Sequence, residues 1–277
     1  MPKNQALQDF LTAKRAAITP EQAGLSSSGA RRVPGLRREE VAMLAGVSTD
    51  WYTRLEQGRD VTPSRSVLDA LARVLRLDGP EHDYLRNLAQ AGTAAPQGPD
   101  RPTVRPGIAR MVEAFEHQPA FVLGPRMEVL TGNTAAWALL TDFPARPEHD
   151  RNLLRWVATD PAARDLYLDW EEILADLVGV LQLEASAAPA DPRIRALVAE
   201  LQDSSPAFAR LWERPRPQGR TCGTKRFDHP EAGFLRIDWE AFGVPDDAGQ
   251  TLFVYTAADE ASADALAQIT TAGATTR

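Results

Sequence analysis

The sequence predicts an all-α domain followed by an α+β domain. Three observations carry this. Up to about residue 90, apolar residues recur at the three- and four-residue spacing of helices. Residues 91–106, AGTAAPQGPDRPTVRP, lack apolar periodicity and have the Pro/Gly/Ala/Thr composition of a linker. After them, short β-like runs flank a block of helical patterns. The chain therefore divides into a helical domain over 1–92, a linker over 93–106 and an α+β domain over 107–277.

The elements follow in order. Leu7, Phe10 and Leu11 form one helical stripe, and Val41 with Leu44 a second. Val67, Leu68, Leu71, Val74 and Leu75 form a third, behind the start signal Pro63-Ser64. Tyr84, Leu85 and Leu88 form a fourth, between Pro80 and Gly92. GIARMVEAFEHQ (107–118) reads as a helix. AFVLG (120–124) and MEVLTG (127–132) read as two strands turned at Pro125-Arg126. Helices are expected over 133–141, 162–183, 192–202 and 205–213. Three strands follow over 219–229, 233–242 and 251–257, with turns at Pro230–Gly233 and Pro245-Asp246-Asp247. A last helix is expected over 260–269. In the second of these strands Phe234, Arg236 and Asp238 alternate with Leu235, Ile237 and Trp239.

At 277 residues, with 43% apolar and 25% charged residues, the chain has room for about two globular domains. No apolar run approaches the roughly 20 residues needed to span a bilayer, so no membrane partner is expected. The start, MPKNQALQDFLTAKR, has no apolar signal core, which places the protein in the cytoplasm. Cys222 is the only cysteine, which excludes an intrachain disulfide. Charge is uneven. Residues 1–95 carry 13 Lys and Arg against 11 Asp and Glu, whereas the remainder carries 18 against 27. A mildly basic first third on an acidic body suits nucleic-acid binding by that third alone.

Residues 37–57 fit two short helices joined by a tight turn. Gly46 supplies the left-handed backbone of the turn, Val47 plugs the angle between the helices, and Ser48 caps the second helix. Tyr52 and Leu55 would face inward with Val41 and Leu44. Trp51 is read as a core residue, with a DNA-facing position as the alternative. Thr49, Asp50, Thr53 and Arg54 are left on the face that would enter a major groove. The run EEVAMLAGVSTDWYTRLEQGRDVTPSRSVLDALARVL resembles the helix-turn-helix of the XRE/lambda-repressor-like family over about residues 30–90. The resemblance implies a double-stranded DNA operator as partner, with Ser48, Thr49, Asp50, Thr53 and Arg54 at the interface. Arginine can pair bidentately with guanine, and aspartate can accept from cytosine N4 or simply favour the positive helix end. Arg37, Arg38 and Arg59, with Arg31 and Arg32 further off, suit phosphate contacts.

Residues 107–258 resemble the ligand-binding domain of MmyB-like transcription regulators. RPGIARMVEAF, PAFVLGPRMEVLTGN, RNLLRWVATDPAARDLYLDWE, SPAFARLWER, GTKRFDHPEAGFLRIDWEAF and GQTLFVYTA carry the likeness. It implies a PAS-like fold, a five-stranded antiparallel sheet covered by helices, with a long apolar pocket for a fatty-acid-like molecule. One departure is Asn133-Thr134, where the family carries Asn-Pro; it predicts a looser start to the following helix. Aromatic residues, Phe121, Trp137, Trp156, Tyr167, Trp170, Phe208 and Trp212 among them, are the candidate lining, and equally the makings of a packed core. Asn152 and Arg155, in Arg151-Asn152-x-x-Arg155, are the first choice to hold a carboxylate, with Lys225 or Arg226 as alternatives. Adjacent strand residues face opposite ways, so at most one of that last pair points inward.

No nucleophile elbow, phosphate loop, dinucleotide fingerprint or zinc-protease motif is present, and the four histidines have no ligand-like spacing. Asp165, Asp169, Glu172 and Asp176 sit opposite an apolar stripe and read as a solvated face. No catalytic residue, metal or cofactor is expected. The whole reads as a DNA-binding transcriptional regulator that responds to a small apolar ligand and works as a homodimer, because one recognition helix gives little specificity. The alternative is a regulator whose second domain binds a protein partner or dimerises without a small ligand.

Overall fold

The computed structural model describes residues 4–25, 35–59, 61–90, 102–219, 221–245 and 249–275, with the side chains of 272–275 excepted. Most of the expected linker, Arg31, Arg32 and the Asp246-Asp247 turn lie outside these residues.

Helices α1 (Gln5–Ala17), α2 (Arg38–Ala45), α3 (Thr49–Glu56), α4 (Arg65–Val74) and α5 (Gly79–Ala89) enclose a first core around Phe10, Leu11, Val41, Tyr52, Leu55, Leu71 and Leu85. Their starts are set by side chains. Asn4, Ser48, Ser64 and Asp78 each accept a backbone N–H of the first turn, which would otherwise lack a partner. Gly46, at φ 70°, closes α2 and lets the chain turn into α3. Leu44 departs from expectation, being 36% exposed. The buried stripe of α2 is Val41, Ala42 and Ala45, and at 100° per residue Leu44 points about 110° away from its centre.

The second core is α+β. Strands β1 (Ala120–Leu123), β2 (Val129–Gly132), β3 (Cys222–His229), β4 (Gly233–Gly243) and β5 (Thr251–Ala257) form one antiparallel sheet in the order β2-β1-β5-β4-β3. β1 is buried along its whole length because both faces are covered. Helix α6 (Pro106–Glu113) packs with Val122 and Leu252 on one face. On the other face lie α7 (Thr134–Leu139), α8 (Leu153–Thr159), α9 (Pro161–Leu166), α10 (Trp170–Ala187), α11 (Pro192–Ser204), α12 (Pro206–Trp212) and α13 (Glu260–Thr275). β3 and β4 alternate instead. Lys225, Phe227, Leu235 and Ile237 face the helices, and Arg226, Asp228, Arg236 and Asp238 face solvent.

Two expectations need correction. The single helix expected over 162–183 breaks at Tyr167–Asp169. Tyr167 pairs with Phe227 on β3, and the Leu168 N–H donates to the Arg226 carbonyl at 3.1 Å, so strand pairing competes with helix there. The start of α7 is not loose. Asn133 Oδ1 accepts from Ala136 N at 2.9 Å and from Ala120 N at 3.1 Å, and its amide donates to Phe115 and Gln118 carbonyls.

The two cores touch through α10. Leu183 packs against the first core, and Asn87 Nδ2 on α5 donates to Ser186 Oγ at 3.1 Å. The segment after α12 crosses α10, where Gln182 Oε1 accepts from Arg216 N at 2.9 Å. It then reaches α5 so closely that a Cβ on Gly219 would stand 2.8 Å from Pro80 Cγ.

Candidate DNA-binding surface and ligand pocket

The end of α3 is fixed by one carboxylate. Glu56, with a side chain 1% exposed, accepts from Arg15 Nε of α1 at 2.6 Å and pairs with Arg38 of α2. Three helices are thereby held at one point, a role the sequence reading did not assign to Glu56. The opposite side of α3 is open. Thr49, Asp50 and Arg54 are exposed and Thr53 is half-buried, while Trp51 packs partly against the core. Ser48 Oγ is occupied as the helix cap, accepting from Trp51 N at 3.2 Å. Arg37, Arg38 and Arg59 are exposed around this face. Arg38 remains 45% exposed while anchored on Glu56, which orients its guanidinium from within. Arg37 lies 3.5 Å from Glu39 Oε1.

Between the sheet and α10 lies a cavity of about 90 Å³. Leu123, Met127, Trp239 and Phe253 form much of its wall, with Leu153 from α8. Ile173, Leu177 and Val180 face it from α10. Three charged side chains also line it: Lys225, Asp176 and Glu184, with Gln218 beside them. Lys225 is buried, donates to Tyr255 Oη at 2.7 Å, and lies 5.1 Å from the ring centres of Trp239 and Tyr255 and 6.0 Å from that of Tyr167. The rings offset part of the cost of burying an ammonium. Burial still lowers its pKa, against the opposing influence of Tyr167 and Asp176. Glu184 behaves oppositely. Burial, with the Glu128 charge nearby, pushes its pKa well up against the pull of Arg126, and its Oε2 is buried without a hydrogen-bond partner.

None of the nine sequence candidates, Phe121, Trp137, Asn152, Arg155, Trp156, Tyr167, Trp170, Phe208 and Trp212, lines this cavity. Arg155 is bound side-on to Glu200, at 2.6 and 2.8 Å. Asn152 caps α8 and ties it to the Arg126 carbonyl at 2.7 Å. Trp137, Phe143, Trp156, Tyr167 and Phe227 form an edge-to-face and tilted chain that fills the core, and Phe208 stacks on Trp212. Trp170 Nε1 donates to the Val157 carbonyl at 2.7 Å. Phe121 stacks on Phe253 and Tyr167 lies beside Lys225, and Phe253 and Lys225 both line the cavity. Of the alternative anchors only Lys225 points inward; Arg226 pairs with Asp169 outside. Of the expected solvated acidic face, Asp165 and Glu172 are exposed and Asp169 partly so, whereas Asp176 lines the cavity.

A model of the MmyB-like transcription regulator ligand binding domain matches residues 104–269, more than half of the chain. The chain belongs to this family. A helix-turn-helix domain model matches residues 14–85, which include α2 and α3. The protein is thus an MmyB-like transcriptional regulator with a DNA-binding domain and a ligand-binding domain. Every residue lining the cavity falls within the span that matches the ligand-binding family. A search among curated proteins finds no match. Among the described residues no helix of this MmyB-like regulator is long and apolar enough to cross a membrane, and no cluster of His, Cys, Asp and Glu could hold a metal ion.

Proposed function

We propose that this regulator reads an operator through α3 and answers to a small, fatty-acid-like effector held in the cavity beneath α10. Thr49, Asp50, Thr53 and Arg54 meet base edges, and Arg37, Arg38 and Arg59 meet phosphates. The effector's chain lies against Leu123, Ile173, Leu177 and Phe253, and its carboxylate pairs with Lys225. The observation that carries this reading is a buried ammonium set in an otherwise largely apolar cavity. An ammonium has three donors and Tyr255 takes one, which leaves capacity for an incoming carboxylate. Two chains act together as a homodimer, so that two recognition helices span paired half-sites. Effector and operator affinities are linked reciprocally.

The test is thermal unfolding of the purified protein with decanoic acid and with decanol. The acid raises the melting temperature of the wild type by mass action. Lys225→Met removes the response to the acid and keeps any response to the alcohol, since only the carboxylate needs the ammonium. An equal response of wild type and Lys225→Met to the acid removes Lys225 as anchor. No response to a panel of acids, with a clean protein mass in native spectra, favours a protein-interaction role for the domain.

A further inference from the structure

The cavity has two polar ends. Asp176, which acts on Lys225 electrostatically, and Glu184 stand eight residues apart on α10, or about 12 Å along the helix axis. An effector that only needed an apolar tail site would meet apolar walls at the far end. It meets instead Glu184, whose Oε2 is buried and unpartnered. A buried polar group without a partner is destabilising, and a ligand group that completes it recovers that loss. The surroundings select the group. Arg126, only 7% exposed and paired with Glu128 at 2.5 Å and Asp191 at 3.6 Å, acts on Glu184 electrostatically and disfavours a cation there. The same burial that favours the protonated carboxyl disfavours an anion. A neutral group that both donates and accepts fits best.

This end is also where the two domains meet. Leu183, next to Glu184, packs on the first core, and Ser186, half a turn on, accepts from Asn87 of α5. Gly219, next to Gln218, abuts Pro80 of α5. Glu184 is thus one residue away from a contact with the DNA-binding domain, and so is Gln218, which lines the cavity beside Gly179.

We propose that the Glu184 end of the cavity is a second polar subsite, which takes a neutral hydroxyl or amide on the effector's distal end and transmits its filling to α5 through Leu183 and Ser186. This rests on the effector reading given above.

The test is calorimetric titration of the full chain with decanoic acid and with its ω-hydroxy derivative. The hydroxy acid binds about threefold to tenfold more tightly to the wild type, the worth of one net hydrogen bond. Glu184→Gln, which keeps donor and acceptor, retains the preference, and Glu184→Leu abolishes it. Equal affinities in the wild type, or a preference that survives Glu184→Leu, overturn the subsite while leaving the effector reading intact. Binding of neither acid overturns both. Hydrogen exchange reads the second half. The hydroxy acid changes protection of α5 amides more than decanoic acid does, and Leu183→Ala removes that response with effector affinity retained. Unchanged α5 exchange in the saturated wild type overturns the transmission.

Discussion

Glu56 draws α1, α2 and α3 together, and its replacement by glutamine tests whether one carboxylate sets the geometry of the DNA-binding head. The glutamine keeps size and shape but lacks charge and one acceptor. Hydrogen bonds to charged groups contribute about 1.5–3 kcal/mol against about 1 kcal/mol for neutral ones, so the well-buried bond from Arg15 loses about 0.5–2 kcal/mol. Arg38 is nearly half exposed, and solvent screening limits its share to about 0.5–1 kcal/mol. Glu56→Gln should therefore destabilise the first domain by about 1–3 kcal/mol. Hydrogen exchange of the α1–α3 amides, followed against urea, isolates this domain from the second. Arg15→Met should cost a similar amount, and the double variant less than the sum, because the two changes share one interaction. A loss below about 0.5 kcal/mol for Glu56→Gln, or strict additivity with Arg15→Met, refutes the reasoning.

Other perturbations separate the remaining parts. Arg54→Ala should weaken binding to a selected operator by about 1–3 kcal/mol and relax its sequence preference, whereas Arg59→Ala should weaken all duplexes alike and flatten the salt dependence; competition binding at several salt concentrations distinguishes them. Gly179→Ala places a Cβ against the Arg216 carbonyl, where the segment after α12 crosses α10, and such overpacking should cost about 1–3 kcal/mol in chemical unfolding. Glu184 gives a pH signature. Its folded pKa is raised above the ordinary 4.5, so the stability it contributes relative to Glu184→Gln is full below that value, declines as pH rises above it, and is gone above the folded pKa. Melting curves of both proteins across this range should diverge in that sense; parallel curves would show that Glu184 titrates normally.

The helix-turn-helix was legible because its signals are local. Gly46, Ser48 and Ser64 mark backbone turns and caps that depend only on their neighbours. Leu44 was misplaced because a three-residue spacing admits more than one stripe on so short a helix. The sheet was legible from alternation, and the same alternation held the proposed anchor. Phe227 shares a face with Lys225, so an inward Phe227 already implied an inward Lys225. The acidic residues of α10 were also present in the pattern, since Glu184 continues the stripe of Ile173, Leu177 and Val180 by one more turn. What misled was composition. Large aromatics mark bulk, and bulk fills space; Trp137, Trp156 and Phe208 close the core rather than line the cavity. Arg155 and Arg151 looked available because Glu200, the partner that holds Arg155, lies 45 residues away in sequence. Long-range partners of this kind, like the pairing of Tyr167 with Phe227 that breaks a helix, are set by packing and leave no local mark.

The central claim is that occupancy of the cavity changes DNA affinity without any further protein. The direct measurement is the affinity for an operator selected from random duplexes, with the cavity empty and with it saturated by ω-hydroxydecanoic acid. Coupling between sites of this kind is worth about 1–3 kcal/mol, so the affinity should change by about fivefold or more, and Lys225→Met should bind the same operator without responding. An unchanged affinity, with the acid shown by calorimetry to be bound, would contradict the account.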